Sequence, residues 1–232
     1  MSRGLGDVYK RQAMELGSMT WIDVDDPIAP IVVVPVGSCE QHGPHLPLHT
    51  DTTVAVALAA DLAARRGDCL VAPPIGVSAS GEHRGFPGTL SVGTEVMAGI
   101  AIELARSADW AGGVVFVNGH GGNVTAMERA ADVFERERRR VLIWWPSVPG
   151  GDPHAGHTET SLMLALAPDE VRDDRRVAGP VPPISDLVRY GVRPLSTSGV
   201  LGDPNTATAD AGRELFATLA DQLAAAVADW VV

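Results

Sequence analysis

Four apolar, mostly β-branched runs recur along the chain, at 31–37, 69–77, 113–117 and 140–145. Between them lie longer stretches in which apolar residues return every three or four positions. Residues 51–66 are rich in alanine and stop at Gly67, residues 94–108 repeat the pattern, and 123–138 carry Met127, Ala130, Ala131 and Phe134 on one helical face. Short buried strands alternating with amphipathic helices predict an α/β fold: a three-layer α/β/α sandwich around a mainly parallel central sheet, joined by right-handed crossovers. After Trp145 the alternation fails. Residues 146–153 and 179–206 are rich in proline and glycine and read as long ordered loops, and a last helix over 207–230 spaces Leu215, Leu219, Leu223 and Val227 by four.

At 232 residues and 45% hydrophobic content the chain suffices for one domain with a full core, taken here as 13–232. The first dozen residues are set aside: Gly6 to Gln12 resembles the translation of a transposase end used in preparing sequencing libraries, and residues 1–12 are expected to be an assembly artefact, disordered and outside the fold. A formal charge of −11 argues against nucleic acid or an acidic membrane as partner. The two cysteines, Cys39 and Cys69, are too few for a disulfide framework, no apolar run is long enough to span a bilayer, and no secretory leader is evident, so a cytoplasmic enzyme is expected. The charged run Glu135 to Arg140 reads as a solvated helix end.

Chemistry-bearing residues gather in loops that follow the strands. Glu40, His42, His45, His49 and Asp51 fall within one loop broken by Gly43, Pro44 and Pro47. Carboxylates and imidazoles on a loop at the C-terminal end of a parallel strand suit a metal site. A second loop, Asn118-Gly-His-Gly-Gly-Asn123, places His120 at the same sheet edge. A third, His154-Ala-Gly-His-Thr-Glu-Thr-Ser161, leads into a helix; there Thr158 or Thr160 could serve as a cap, with Glu159 in the first turn near the positive end of the dipole. A fourth, 78–89, offers Glu82, His83 and Arg84 for substrate binding. Glu40, His42, Asp51, His120 and Glu159 together make an oxygen and nitrogen donor set suited to two divalent ions sharing a carboxylate and a water, and so to amide hydrolysis. His154 is then the candidate proton donor to the leaving nitrogen. Cys39 reads as a small buried residue rather than a nucleophile.

Taken jointly, the motifs resemble the creatininase family of metal-dependent amidohydrolases, from about residue 32 to 212. They are Gly-Ser-Cys-Glu-Gln-His-Gly-Pro-His-Leu-Pro-Leu from Gly37, Thr50-Asp51, Phe86-Pro-Gly-Thr89, Asn118 to Asn123, His154 to Ser161, and Gly199-Val-Leu-Gly-Asp-Pro204. The resemblance implies Glu40, His42, Asp51 and His120 as ligands of two divalent ions (zinc, iron(II) or manganese), with Asp51 bridging and His154 acting on the leaving group. It also implies homo-oligomers, often hexamers. One departure stands out. Creatinine-hydrolysing members carry a glutamate ligand two residues after the histidine of the Asn-Gly-His motif, where this chain has Gly122, so Glu159 is expected as the fifth ligand and creatinine is disfavoured as substrate. His49 and His157 are left out of the site.

Within the family, the short chain, the Cys39-Glu-Gln-His wording and the Ala-rich composition look most like the branch that trims the modified mycofactocin precursor peptide, releasing its C-terminal Val-Tyr portion during maturation of a redox cofactor. The alternative substrate is a small cyclic amide or formamide, of creatinine or formylaminopyrimidine type. A metal-binding structural subunit without catalysis is the reading from another class; the unbroken ligand set speaks against it.

Overall fold

All six residues of β1 (Ile31–Val36) are buried, as expected of a strand covered on both faces. In the computed structural model, which describes residues 15–25 and 29–231, β1 lies between β2 (Cys69–Val71) and β3 (Gly113–Asn118), and β4 (Val141–Trp144) flanks β3. All pairings are parallel, in the order β2-β1-β3-β4. The supposed artefact at 1–12 lies outside the described residues.

The two-residue period of the strands sorts the core into two layers. Ile31, Val33, Val115, Val117 and Trp144 face α1 (Thr50–Arg66) and α6 (Ala209–Val231), meeting Leu58, Leu62, Leu219 and Leu223. Val32, Val34, Val114 and Phe116 face the other way, onto Met97 and Ala101 of α2 (Thr94–Ser107) and Met127 and Phe134 of α3 (Val124–Glu137). There Phe116 and Phe134 stack with ring centroids 6.1 Å apart. Two further helices, α4 (His157–Leu166) and α5 (Ile184–Tyr190), follow β4. The expected three-layer α/β/α arrangement around a parallel sheet is the one found.

Two expectations change. The second strand ends at Val71 instead of Val77, because Pro73 and Pro74 have no N–H to give to the ladder; contact with β1 resumes only at Ile75, whose N–H bonds Pro35 O at 2.9 Å. The stretch 179–206 is not loop throughout: Pro183 starts α5 and Gly191, at φ 72°, ends it. The first and last turns of the sandwich are also distinct in use. Val36 and Asn118 are register partners, so the loops after β1 and β3 leave from the same edge. At the opposite edge, Trp230 near the end of α6 packs on Gly113 at the start of β3, with the Arg140 guanidinium 5.0 Å over its ring.

Candidate metal centre

Each strand contributes the loop that follows it. The β1 loop carries Glu40 and His42 and runs into α1, whose first turn holds Asp51; the β3 loop carries His120; the β4 connection carries His154 and, in the first turn of α4, Glu159; the β2 loop carries Glu82 and His83. Six of these side chains, Glu40, His42, Asp51, His83, His120 and His154, are buried. All but His42 line a cavity of about 1010 Å³, whose wall also includes Arg84 and the apolar residues Ile184, Leu187, Val188 and Tyr190 of α5.

Asp51 sits at the centre. Its Oδ1 lies 3.0 Å from His42 Nε2 and its Oδ2 lies 3.0 Å from His120 Nδ1, while the Ser38 hydroxyl donates to Oδ2 at 2.8 Å. Glu40 stands across from it, with Oε2 3.1 Å from His120 Nε2 and Oε1 3.2 Å from His83 Nε2. Glu159 closes the His42 side: its Oε2 is 3.7 Å from His42 Nε2 and accepts the Ala155 N–H at 2.6 Å. Ala155 takes φ 53° to present that N–H. Neither Thr158 nor Thr160 caps α4; Asp152 does so instead, accepting from the N–H of His157 and, at 3.0 Å, of Thr158. Glu82 closes the His120 side, its Oε1 3.4 Å from His120 Nε2.

Electrostatics follow from this crowding. Burial drives the carboxyl of Glu40 up to about 8 and that of Glu159 to about 7, and Asp51 adds repulsion to both. Burial also opposes charge on His42 and His120, yet the surrounding carboxylates, Asp51 for the first and Glu40 for the second, outweigh it and lift each to about 10. Asp51 is held well below the usual carboxylate range because the two imidazoles offset its burial. His83 falls to about 3 and His154 well below its ordinary value, burial being the main cause and the neighbouring imidazoles the next. The cluster therefore calls for positive charge between its carboxylates.

A divalent cation fits that demand. Ligand atoms of Glu40, Glu82 and His120 lie within 4.8 Å of one another, as do those of His42, Asp51 and Glu159, and those of Glu40, His42 and His154. Glu40 Oε2 is buried and accepts no hydrogen bond, although His120 is near, because Ala79 O is closer to His120 Nε2, at 2.9 Å. A buried carboxylate oxygen without a donor is costly unless a cation faces it. All the donors are oxygen or nitrogen, a set that accepts zinc, iron(II) and manganese.

The creatinine amidohydrolase family model matches residues 17–227. This chain belongs to the creatininase family. A relative from Mycobacterium tuberculosis (strain CDC 1551 / Oshkosh), named mycofactocin precursor peptide peptidase, is 48% identical over 232 aligned residues, covering 94% of this chain and 92% of the relative. Among solved creatininases, a mutant of the "Zn-Zn type" superposes with a TM-score of 0.82 at 26% identity, over 93% of this chain and 97% of that one. A structure titled "Creatininase Mn" gives 0.78 at 25% identity, over 93% and 98%. Zinc and manganese in those neighbours agree with the donor set found here.

The structure thus brings together all five residues expected as ligands, together with His154. Of the three residues expected to bind substrate, Arg84 lies on the cavity wall, exposed; His83 is buried between Glu40 and Gln41; and Glu82 points at His120. His49 and His157 lie apart, the first paired with Glu170 at 2.9 Å and the second bonded to Thr206 at 2.8 Å. His45 is buried against Thr160, with 2.8 Å between Nε2 and the hydroxyl. Cys39 is half-buried with its thiol toward Gly88 O.

Gln41 is a site residue that the sequence reading passed over. Its amide nitrogen reaches Gly199 O at 3.1 Å and His83 Nδ1 at 2.9 Å, and its side-chain oxygen accepts the Gly43 N–H at 2.9 Å. Position 199 must be glycine for this: its φ is 85°, and a Cβ there would overlap Gln41 Oε1. The pairing of Gln41 with the Gly199 motif was the available signal. It lay unread because an amide has neither charge nor metal affinity to single it out.

Proposed function

We propose that this protein is a dinuclear metal-dependent hydrolase of amide bonds, and that its substrate is the modified mycofactocin precursor peptide, cleaved to release the C-terminal Val-Tyr portion. The observation that carries the substrate is the 48% identity, across nearly the whole chain, to a relative bearing that peptidase name. A cavity of about 1010 Å³ with an apolar wall from α5 suits a peptide segment better than a single small ring.

Glu40, His42, Asp51, His120 and Glu159 would hold two divalent ions, and the two oxygens of Asp51 each face a different imidazole of that set. Two such ions would bring the pKa of a bound water toward neutrality and polarise the scissile carbonyl. His154 handles the proton. Its Nε2–H is committed to Gln41 O at 2.8 Å, so the bare Nδ1, 3.9 Å from Glu40 Oε1 and 4.0 Å from Glu159 Oε2, faces the cluster. A proton leaving the attacking water passes to Nδ1. As the C–N bond breaks, that proton moves to the leaving nitrogen, giving a carboxylic acid and an amine and restoring neutral His154. Burial disfavours the intervening imidazolium, which opposes the first transfer and favours the second. The expected donor is therefore first an acceptor.

The same reading takes the enzyme as cytoplasmic, in keeping with two free cysteines, and as a homo-oligomer, often a hexamer in this family; sedimentation velocity checks the latter. Among the described residues no helix is long and apolar enough to cross a membrane. The deciding experiment is mass spectrometry of the products after zinc- or iron-loaded protein meets the decarboxylated precursor peptide. Metal-dependent release of the Val-Tyr portion supports the reading. An intact peptide, with about two ions per chain in the protein, rejects it in favour of small cyclic amides and formamides.

A further inference from the structure

We infer that Glu82 is a metal ligand, on the side of the cluster where Glu40 and His120 meet; this rests on the reading of the cavity as a metal centre. Four observations lead there. The Glu82 carboxylate is turned inward, with Oε1 3.4 Å from His120 Nε2, and its ligand atom shares one 4.8 Å neighbourhood with those of Glu40 and His120. Glu40 Oε2, in that same neighbourhood, is buried without a hydrogen bond and needs a cation in front of it.

The space Glu82 occupies is made by Gly122. A Cβ at that position would overlap both Glu82 Oε1 and His120 Nε2, so the glycine leaves the room that the carboxylate fills. Glu159, to which the sequence reading gave the compensating role for a missing side chain at 122, lies on the opposite side, against His42. The backbone of Glu82 is also fixed: its carbonyl accepts the Val192 N–H at 2.8 Å, and Gly191 lets that segment approach closely. A side chain held from behind and aimed at an imidazole already facing a carboxylate has the pre-organisation of a ligand rather than of a mobile substrate contact.

Charge balance adds to these four observations. Two divalent ions bring four positive charges. Glu40, Asp51 and Glu159 supply three negative ones, and Glu82 makes the count equal, which a mostly buried site favours over a net charge.

The test compares wild type with Glu82→Ala and Glu82→Gln for zinc content after dialysis, zinc affinity by chelator competition, and the visible spectrum of the cobalt-substituted protein. Loss of one ion, or affinity at least tenfold weaker in Glu82→Ala with a smaller loss in Glu82→Gln, supports the assignment; removal of even an outer partner of a metal costs about 10–100-fold. The cobalt bands shift in either variant. Unchanged content, affinity and spectrum in Glu82→Ala overturn it. The wild-type count judges the underlying reading separately: two ions in wild type with unchanged content, affinity and spectrum in Glu82→Ala sink the role of Glu82 alone, whereas no ion in wild type sinks both.

Discussion

His154 gives its one N–H to the main-chain carbonyl of Gln41, 2.8 Å away, and this bond fixes both the ring's tautomer and the direction of its free nitrogen. The carbonyl can only accept, so Nε2 must carry the hydrogen. His154 Nε2 also lies 3.0 Å from the Gln41 amide nitrogen, but with its hydrogen on the Gln41 carbonyl it cannot accept there, so the two amide hydrogens serve Gly199 O and His83 Nδ1, and His83 in turn can donate from Nε2 to Glu40. One consistent proton order runs through four side chains.

Replacing His154 with alanine should leave metal content intact and lower kcat by roughly 10²–10⁴-fold. Metal analysis beside turnover of the precursor peptide checks this. Full turnover in His154→Ala removes the residue from the mechanism.

Gln41→Leu should keep the shape of the site but break the proton order, lowering kcat by roughly 10–100-fold. The Gly43 N–H loses its partner, so stability should fall by about 1–3 kcal/mol. A variant with wild-type kcat and a lowered Tm would reduce Gln41 to a structural role.

Stripped of metal, the protein should lose thermal stability as pH rises from about 6.5 to about 10. His42 and His120 are raised from 6.5 to about 10, so the stability they contribute is complete below 6.5 and disappears as pH climbs through their folded values. Glu40, raised to about 8, and Glu159, raised to about 7, act in the same direction. Asp51 has the opposite sign, its contribution being present above 3.8 and lost in acid. Melting curves after chelation, across this range, give the answer. Added zinc should reverse the trend and release protons, since it binds the deprotonated ligands.

Gly122→Ala should destabilise the protein by about 1–3 kcal/mol, because the new methyl meets Glu82, His120 and the Ala79 carbonyl. Removing the Glu82 side chain in the same molecule relieves one overlap of the three, so the double variant should recover part of the loss. Strict additivity in a thermal double-mutant cycle would contradict the close approach.

Val188→Asp, on the exposed face of α5, should raise KM for the peptide by roughly tenfold or more while leaving kcat and metal content near wild type. A small amide substrate should not register the change.

Much of this was legible in the chain. The unbroken apolar run Ile31–Val36 and the glycines around His120 place strand ends and ligands at one edge, because parallel strands that start in register also end in register. The donors Glu40, His42, Asp51, His120 and Glu159 announce themselves by residue type. The partner assignments did not. Whether Glu82 or Glu159 occupies the room beside Gly122 depends on how far the β2 loop reaches, which is set by the Pro73-Pro74 break and by the Val192 bond, a contact more than a hundred residues away in sequence. Helix α5 could have been read from Ile184, Leu187 and Val188 at helical spacing; the prolines at 180, 182 and 183 masked it.

The docking of Trp230 on Gly113 has a practical outcome. Because α6 finishes at the sheet edge where the strands begin, and the cavity opens where they end, the end of α6 faces away from arriving substrate. A solid support joined to the exposed face of α6 near its end would hold the molecule by the far pole, and immobilised enzyme should present its mouth to the solution.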